Sequence, residues 1–184
     1  MSAARTPATG LARLELRSGE LADTLAIGRA VAKLCRDGDV LALAGELGAG
    51  KTQLVRGLAD GLGIDASRVA SPTFVFLHEY EPEPEPPPTD DASRPLTLVH
   101  LDAYRLTSDG DLATIGFDLD DPDFRAGTVV TVEWPERLGG SIDPGLTLKL
   151  QHAPPSRRIT VTVHGPWRDR VDALQHELAA FEAP

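Results

Sequence analysis

The sequence predicts an α/β fold, a mainly parallel sheet flanked by helices with a short antiparallel extension at its edge, and three observations predict it. Apolar runs at 40–44, 96–101 and 128–132 read as buried strands. The helical stretches between strands are the pattern of a parallel sheet whose ligands gather at the strands' carboxyl ends. The residues Gly45-Glu46-Leu47-Gly48-Ala49-Gly50-Lys51-Thr52 follow the first run directly and fit the pattern Gly, any four, Gly-Lys-Ser/Thr. That pattern marks a P-loop and puts the chain among the P-loop NTPase folds. Finally, 184 residues at 41% hydrophobic supply one well-buried core and are short for two, so residues 1–184 read as a single domain.

The elements follow in order. Residues 11–16 alternate apolar and polar side chains, the period of a strand. Ser18 then reads as the cap of a helix in which Leu21, Leu25, Gly28, Ala32 and Cys35 share one face, with Glu20 and Asp23 favouring its first turn. The run 40–44 is the strand before the P-loop. A second helix starts at the P-loop itself, because Leu54, Leu58 and Leu62 recur every four residues and Gly63 ends the run. Residues 74–80 are strand-like. Residues 81–95 differ in kind, alternating Glu with Pro before three consecutive prolines and Asp90-Asp91. So little apolar surface cannot pack, and the segment reads as a flexible or disordered insertion. Beyond the strands at 96–101 and 128–132, two alternating stretches at 146–150 and 159–163 form the antiparallel extension. A last helix over 167–181 presents Val171, Leu174, Leu178 and Phe181 on one face.

A net charge of −10 and a pI near 4.9 argue against a chain that grips nucleic acid by itself, since phosphate neutralisation needs clustered Lys and Arg. Any role on RNA runs through a partner. The single cysteine, Cys35, forms no internal disulfide, and its place on an apolar repeat favours a buried thiol. The five histidines lack metal-ligand spacing, which argues against zinc. Residues 1–10 hold no apolar core of signal-peptide length and no run is long enough to span a bilayer, so the expectation is a cytoplasmic protein without membrane association.

The three glycines of the P-loop let the backbone curl so that successive N–H groups over Glu46, Leu47, Gly48, Ala49 and Gly50 face phosphate oxygens. Lys51 reaches the outer phosphates, the Thr52 hydroxyl suits Mg²⁺, and the N-terminal dipole of the next helix faces the same anion. A P-loop specifies a nucleotide but not a reaction, so the remaining polar residues matter. Asp102 closes a hydrophobic strand, either as a Mg²⁺-supporting Walker B acid or as the cap of the next helix. Glu133 closes another, and completes a metal shell, orients an attacking water, or is a surface acid in a salt bridge. Thr73 follows Pro72, which restrains the backbone and either presents the hydroxyl to a γ-phosphate, as switch loops do, or simply makes a turn. His100 reads as a satisfied structural group, Tyr104-Arg105 as partner surface or edge packing, and Trp134 as core or as a platform for a base.

Five ordered blocks carry a resemblance. They are Ser18-x-Glu20-x-x-x-Thr24-x-x-x-Gly28, Gly45-x-Leu47-Gly48-Ala49-Gly50-Lys51-Thr52, Ser71-Pro72-Thr73-Phe74, His100-x-Asp102-x-Tyr104-Arg105-Leu106 and Val132-Glu133-Trp134-Pro135-Glu136. Together, over about residues 18–159, they resemble the bacterial TsaE (YjeE) family, the small P-loop ATPase of the tRNA threonylcarbamoyladenosine pathway. The resemblance implies ATP and Mg²⁺ as cofactors, with Ser18, Glu20 and Thr24 beside the nucleotide and Arg158, at a basic position before a late strand, touching it. It also implies Thr52 and Glu133 at Mg²⁺, Asp102 in the Walker B position and the Ser-Pro-Thr loop as a switch, so that Lys51, Thr73, Asp102 and Glu133 form the expected catalytic set. The implied activity is ATP hydrolysis driving turnover of the TsaD and TsaB partners, which transfer threonylcarbamoyl to tRNA. On this reading tRNA is met only through the complex. Gln53 stands where many relatives carry a second Thr, and the 81–95 insertion is longer than the usual connection.

Two rival readings use the same P-loop. A small-molecule kinase needs an acceptor pocket and usually an arginine-rich lid, and the insertion supplies no arginine before Arg94. A GTP-binding switch meets a sharper obstacle, because the sequence contains no asparagine for the guanine-reading Asn-Lys-x-Asp motif.

Overall fold

The computed structural model describes residues 12–83, 95–106, 121 and 125–183; most of the expected insertion at 81–95 lies outside the described residues. The strands are β1 Arg13–Ser18, β2 Asp39–Ala44, β3 Leu77–Tyr80, β4 Thr97–Asp102, β5 Thr128–Glu133, β6 Leu146–Ala153 and β7 Ser156–Val163. They form one seven-stranded sheet in the order β1-β7-β6-β2-β5-β4-β3. Its centre, β4-β5-β2-β6, is parallel, while β7 and β1 on one side and β3 on the other run antiparallel. The antiparallel part is thus broader than the edge extension the sequence predicts, because β1 and β3 close the sheet from both ends.

Alternation along the strands sorts the core into two layers. Leu41, Leu43, Leu98 and Val129 pack on one face with α1 (Leu21–Ala32), α2 (Lys51–Gly61) and α3 (Val171–Leu178). Val40, Val99, Leu101, Val130 and Val132 pack on the other with Leu106 and Leu138.

Three element boundaries differ from the sequence reading. Ser18 does not cap α1 but ends β1, since the Asp23 carboxylate accepts from the Gly19 and Glu20 amides and starts the helix at Leu21. The buried face of α1 is accordingly Thr24, Ile27, Gly28 and Val31, leaving Leu21 49% exposed and Cys35 beyond the helix end. There the Cys35 thiol is half-buried and donates to Val31 O, and burial pushes its pKa up, away from reactivity. Phe76 adopts a left-handed φ of 68°, so the stretch expected as strand from 74 begins pairing only at Leu77. The last helix is α-helical over Val171–Leu178 and 3₁₀ on both sides.

Two contacts fix the layer that carries the P-loop. Arg170 donates to both oxygens of Asp39 at 2.6 and 2.9 Å and to Leu34 O at 2.8 Å, a buried pair that ties the C-terminal segment to the start of β2. Helices α1 and α2 meet backbone to backbone. A Cβ on Gly57 would lie 2.2 Å from Leu25 O and 3.0 Å from the Gly28 Cα, so the interface admits no side chain at that point. We therefore expect Gly57→Ala to destabilise the fold by about 1–3 kcal/mol, the usual cost of overpacking, with the shift read from the midpoint of denaturant unfolding.

Candidate functional site

The site lies where β2, β5 and β4 end side by side. In register, Glu133 on β5 stands opposite Leu43 of β2 on one side and Asp102 of β4 on the other. This arrangement brings both strand-end acids to the P-loop that leaves β2. The loop turns at Gly45, whose φ is 143° and where a Cβ would lie 2.4 Å from Leu150 O, so only glycine fits. Glu46, Leu47 and Gly48 are exposed, Ala49 is buried, and no side chain caps the first turn of α2. That turn carries no acid, and its uncapped N–H groups are the donors a phosphate would take.

Lys51 begins α2. Its Nζ donates to Gly45 O at 2.7 Å and Glu46 O at 3.1 Å and sits 3.7 Å from the centre of the Trp134 ring. Burial lowers the Lys51 pKa, against the pull of Glu133, Asp102 and Glu136, which raise it. Thr52 Oγ1 donates to Glu133 Oε1 at 2.9 Å, and the same oxygen lies 3.0 Å from His100 Nε2. On Asp102, Oδ2 accepts from Thr73 Oγ1 at 2.5 Å and from Ser71 Oγ at 3.3 Å, while Oδ1 accepts from the Tyr104 amide at 2.9 Å. Asp102 thus joins the Ser71–Thr73 loop to the end of β4. Trp134 follows Glu133 with a left-handed φ of 59°, an unusual conformation for a bulky residue, and its amide donates to Leu43 O.

These groups enclose a cavity of about 330 Å³ lined by Lys51, Thr52, Thr73, Asp102 and Glu133, with Leu47, Gly48, Tyr104 and Trp134 at its margins. Trp134 is half-buried: it packs against the core layer that holds Val130 and Val132, with the Lys51 ammonium 3.7 Å from its ring centre and the Tyr104 ring 5.0 Å away. Arg105 sits near Phe74 and Phe76.

The remaining expected contacts gather elsewhere. Ser18 and Thr24 are buried; Ser18 Oγ donates to Glu20 O at 3.0 Å and pairs with Thr24 Oγ1 at 2.7 Å. None of Ser18, Glu20 and Thr24 lines the cavity. Ser18 is, however, the register partner of Arg157, whose side chain lies against Gly50 of the P-loop, 3.4 Å from where a Cβ would stand. Arg158, the residue expected at the nucleotide, is exposed and alternates to the other face of β7. Strand parity turns Arg157, one position earlier, toward the P-loop, a signal the sequence reading did not use. That reading also took His100 as fully satisfied, whereas its Nδ1 is buried without a partner among the described residues.

The family model described as Threonylcarbamoyl adenosine biosynthesis protein TsaE matches residues 18–160. The tRNA threonylcarbamoyladenosine biosynthesis protein TsaE of Bacillus subtilis is 33% identical over 172 residues, 92% of this chain and 96% of its own length. Its namesake from Treponema pallidum is 38% identical over 142 residues, covering 76% and 93%, and that of Streptomyces coelicolor 44% over 110 residues, covering 60% of this chain and 66% of the relative. Among solved structures, Bacillus subtilis YdiB superposes with a TM-score of 0.63 at 28% identity, covering 94% of this chain and 98% of that one. The blocks within residues 18–160 supply the P-loop, both strand-end acids and the Ser-Pro-Thr loop, and the chain belongs to the TsaE family of tRNA threonylcarbamoyladenosine biosynthesis.

Proposed function

We propose that this protein is a Mg²⁺-dependent ATPase whose cycle drives turnover of a TsaD–TsaB threonylcarbamoyl transferase in the cytoplasm, meeting tRNA only through that complex. One observation carries the reading: the P-loop hydroxyl of Thr52 and the strand-end acid Glu133 are hydrogen-bonded at 2.9 Å, with Asp102 beside Glu133 in register. A hydroxyl and two carboxylates are hard oxygen donors. Among the described residues no group of three or more His, Cys, Asp or Glu is gathered to hold an ion, so a cation here would draw further oxygens from phosphate and water, the habit of Mg²⁺. When bound, Mg²⁺ would neutralise charge on the transferring phosphoryl group.

The chain's own residues then take these roles. Backbone N–H groups over Glu46, Leu47, Gly48, Ala49 and Gly50 cradle the phosphates. Lys51 leaves the Gly45 and Glu46 carbonyls for the outer phosphates, and Thr52 with Glu133 and Asp102 supports the cation. Thr73, tethered to Asp102, would stand at the γ-phosphate end, where a water oxygen would bond to phosphorus as the bond to the ADP oxygen breaks, the water's protons leaving to the phosphate product and solvent. Ser18, Glu20 and Thr24 flank the nucleotide on the side of β1. There Arg157, rather than Arg158, makes the basic contact, because its guanidinium lies against Gly50 with Nε buried and unpartnered among the described residues. Leu47, which lines the cavity, and Phe74, next in sequence to the lining residue Thr73, are 80% and 84% exposed and offer apolar surface that a partner protein would cover. Tagged protein incubated with and without ATP should recover TsaD and TsaB; failure to recover either defeats the partner reading.

Lys51→Ala is expected to weaken ATP binding at least about tenfold, the scale of a lost charged hydrogen bond, with a melting temperature near that of the parent. Calorimetry and thermal melting check both. Glu133→Gln should still bind ATP while partner-stimulated hydrolysis falls about 10²–10⁴-fold, as for a single catalytic group; rescue by added Mg²⁺ would assign the residue to the metal. Turnover at the parental rate would leave Glu133 outside the reaction. Arg157→Ala should raise the ATP dissociation constant, whereas Arg158→Ala should leave it within about twofold, as surface substitutions do; the reverse ranking restores Arg158.

A further inference from the structure

His100 is fully buried on β4, two residues before Asp102. Strand parity puts it on the same face as Asp102, and the register of β4 with β5 sets it opposite Thr131, one alternation before Glu133. Its Nε2 lies 3.0 Å from Glu133 Oε1. A carboxylate oxygen accepts, so Nε2 carries the hydrogen, and the buried Nδ1 has no hydrogen-bond partner among the described residues. On the same face Leu98, two positions earlier, is apolar, and the opposite residue Thr131 is polar but donates its hydroxyl to Val99 O. The imidazole bears the desolvation of one nitrogen and, among the described residues, makes one side-chain hydrogen bond, to an acid that lines the cavity.

That bond constrains how Glu133 can turn. Oε1 accepts from His100 on β4 and from Thr52 on α2, and neither bond uses Oε2. The Thr52 hydroxyl stands on the cavity wall, where a bound cation would compete for it. The His100 donor stands on a buried central strand and stays. We propose that His100 is a positioning residue, whose Nε2–H holds the Glu133 carboxylate in the orientation in which it receives a divalent cation together with Thr52. The inference rests on the Mg²⁺-nucleotide reading above. Partners that orient a ligating group in this way are worth about 10–100-fold in metal affinity.

The test compares three variants by calorimetry of ADP binding, with and without Mg²⁺, the readout being the factor by which Mg²⁺ tightens ADP. His100→Gln carries an amide N–H at the reach of Nε2; His100→Asn carries one that falls short of Glu133; His100→Leu carries none. We expect Gln to keep the parental factor, and Asn and Leu to need about 10–100-fold more Mg²⁺ for the same effect, with metal-free ADP affinity and melting unchanged. Should Leu fail to fold, the contrast between Gln and Asn decides alone. Parental Mg²⁺ dependence in Asn, or a Gln variant as defective as Asn, overturns the role of His100 while leaving the ATPase reading intact. A parent protein that binds ADP with no response to Mg²⁺ overturns both.

Discussion

The hydrogen bonding of one buried acid constrains much of this structure. Glu133 is 3% exposed at the end of β5, one of the parallel inner strands, and a carboxylate withdrawn from water is costly unless donors and opposite charge surround it. Each neighbour meets part of that demand. Strand order brings β2 and β4 to either side, α2 starts where Thr52 can donate, and His100 reaches across from β4. The backbone is held as well: the Ala103 amide donates to Glu133 O, and the Trp134 amide to Leu43 O. The left-handed Trp134 follows from this anchoring, at a local cost of about 1–3 kcal/mol for such a conformation. Phe76, the other bulky residue with positive φ, accepts from the Asp102 amide, so both strained positions adjoin a strand-end acid.

Lys51 occupies the opposite wall under opposing influences. Burial disfavours its charge, and three carboxylates favour it. Its two carbonyl acceptors and the face of Trp134 hold the ammonium in the loop. An anionic phosphate oxygen is a stronger acceptor than a peptide carbonyl, so an entering phosphate would draw the lysine forward and release the indole at the same moment. Closure of the Lys51–Trp134 contact and occupation of the P-loop are on this view alternatives.

Much of this was legible in the sequence because the informative features are local. The Gly-x₄-Gly-Lys-Thr loop, the apolar strand before it and the acids closing two later strands are all readable over a few residues, and they bring Lys51, Thr52, Thr73, Asp102 and Glu133 to one cavity. What failed depended on register and pairing. A strand's faces alternate at every residue, so a shift of one position moves a side chain to the opposite face: Arg157 lies against Gly50 while Arg158 is exposed on the other face of β7. Ser18 looked like a cap because serine suits one, but the Asp23 carboxylate filled that role. His100 was opaque for another reason: a half-satisfied imidazole is a statement about a neighbour 33 residues away, and no local pattern carries it. The antiparallel flanks were underestimated because β1 pairs with β7, the far end of the chain.

The charges of the cavity suggest why nucleotide and cation would enter together. Among the described residues lining it, Lys51 stands against Asp102 and Glu133, so the wall is already negative on balance. A polyphosphate alone would add like charge to those acids in a partly desolvated space, where repulsion is poorly screened. A divalent cation alone would lack oxygens to complete its shell. Each would make the other's binding more favourable, and such coupling is reciprocal: whatever factor a cation added to nucleotide affinity, the nucleotide would add to cation affinity. The geometry of Glu133, shared between the Thr52 hydroxyl and the fixed His100 donor, is where that mutual dependence would be set.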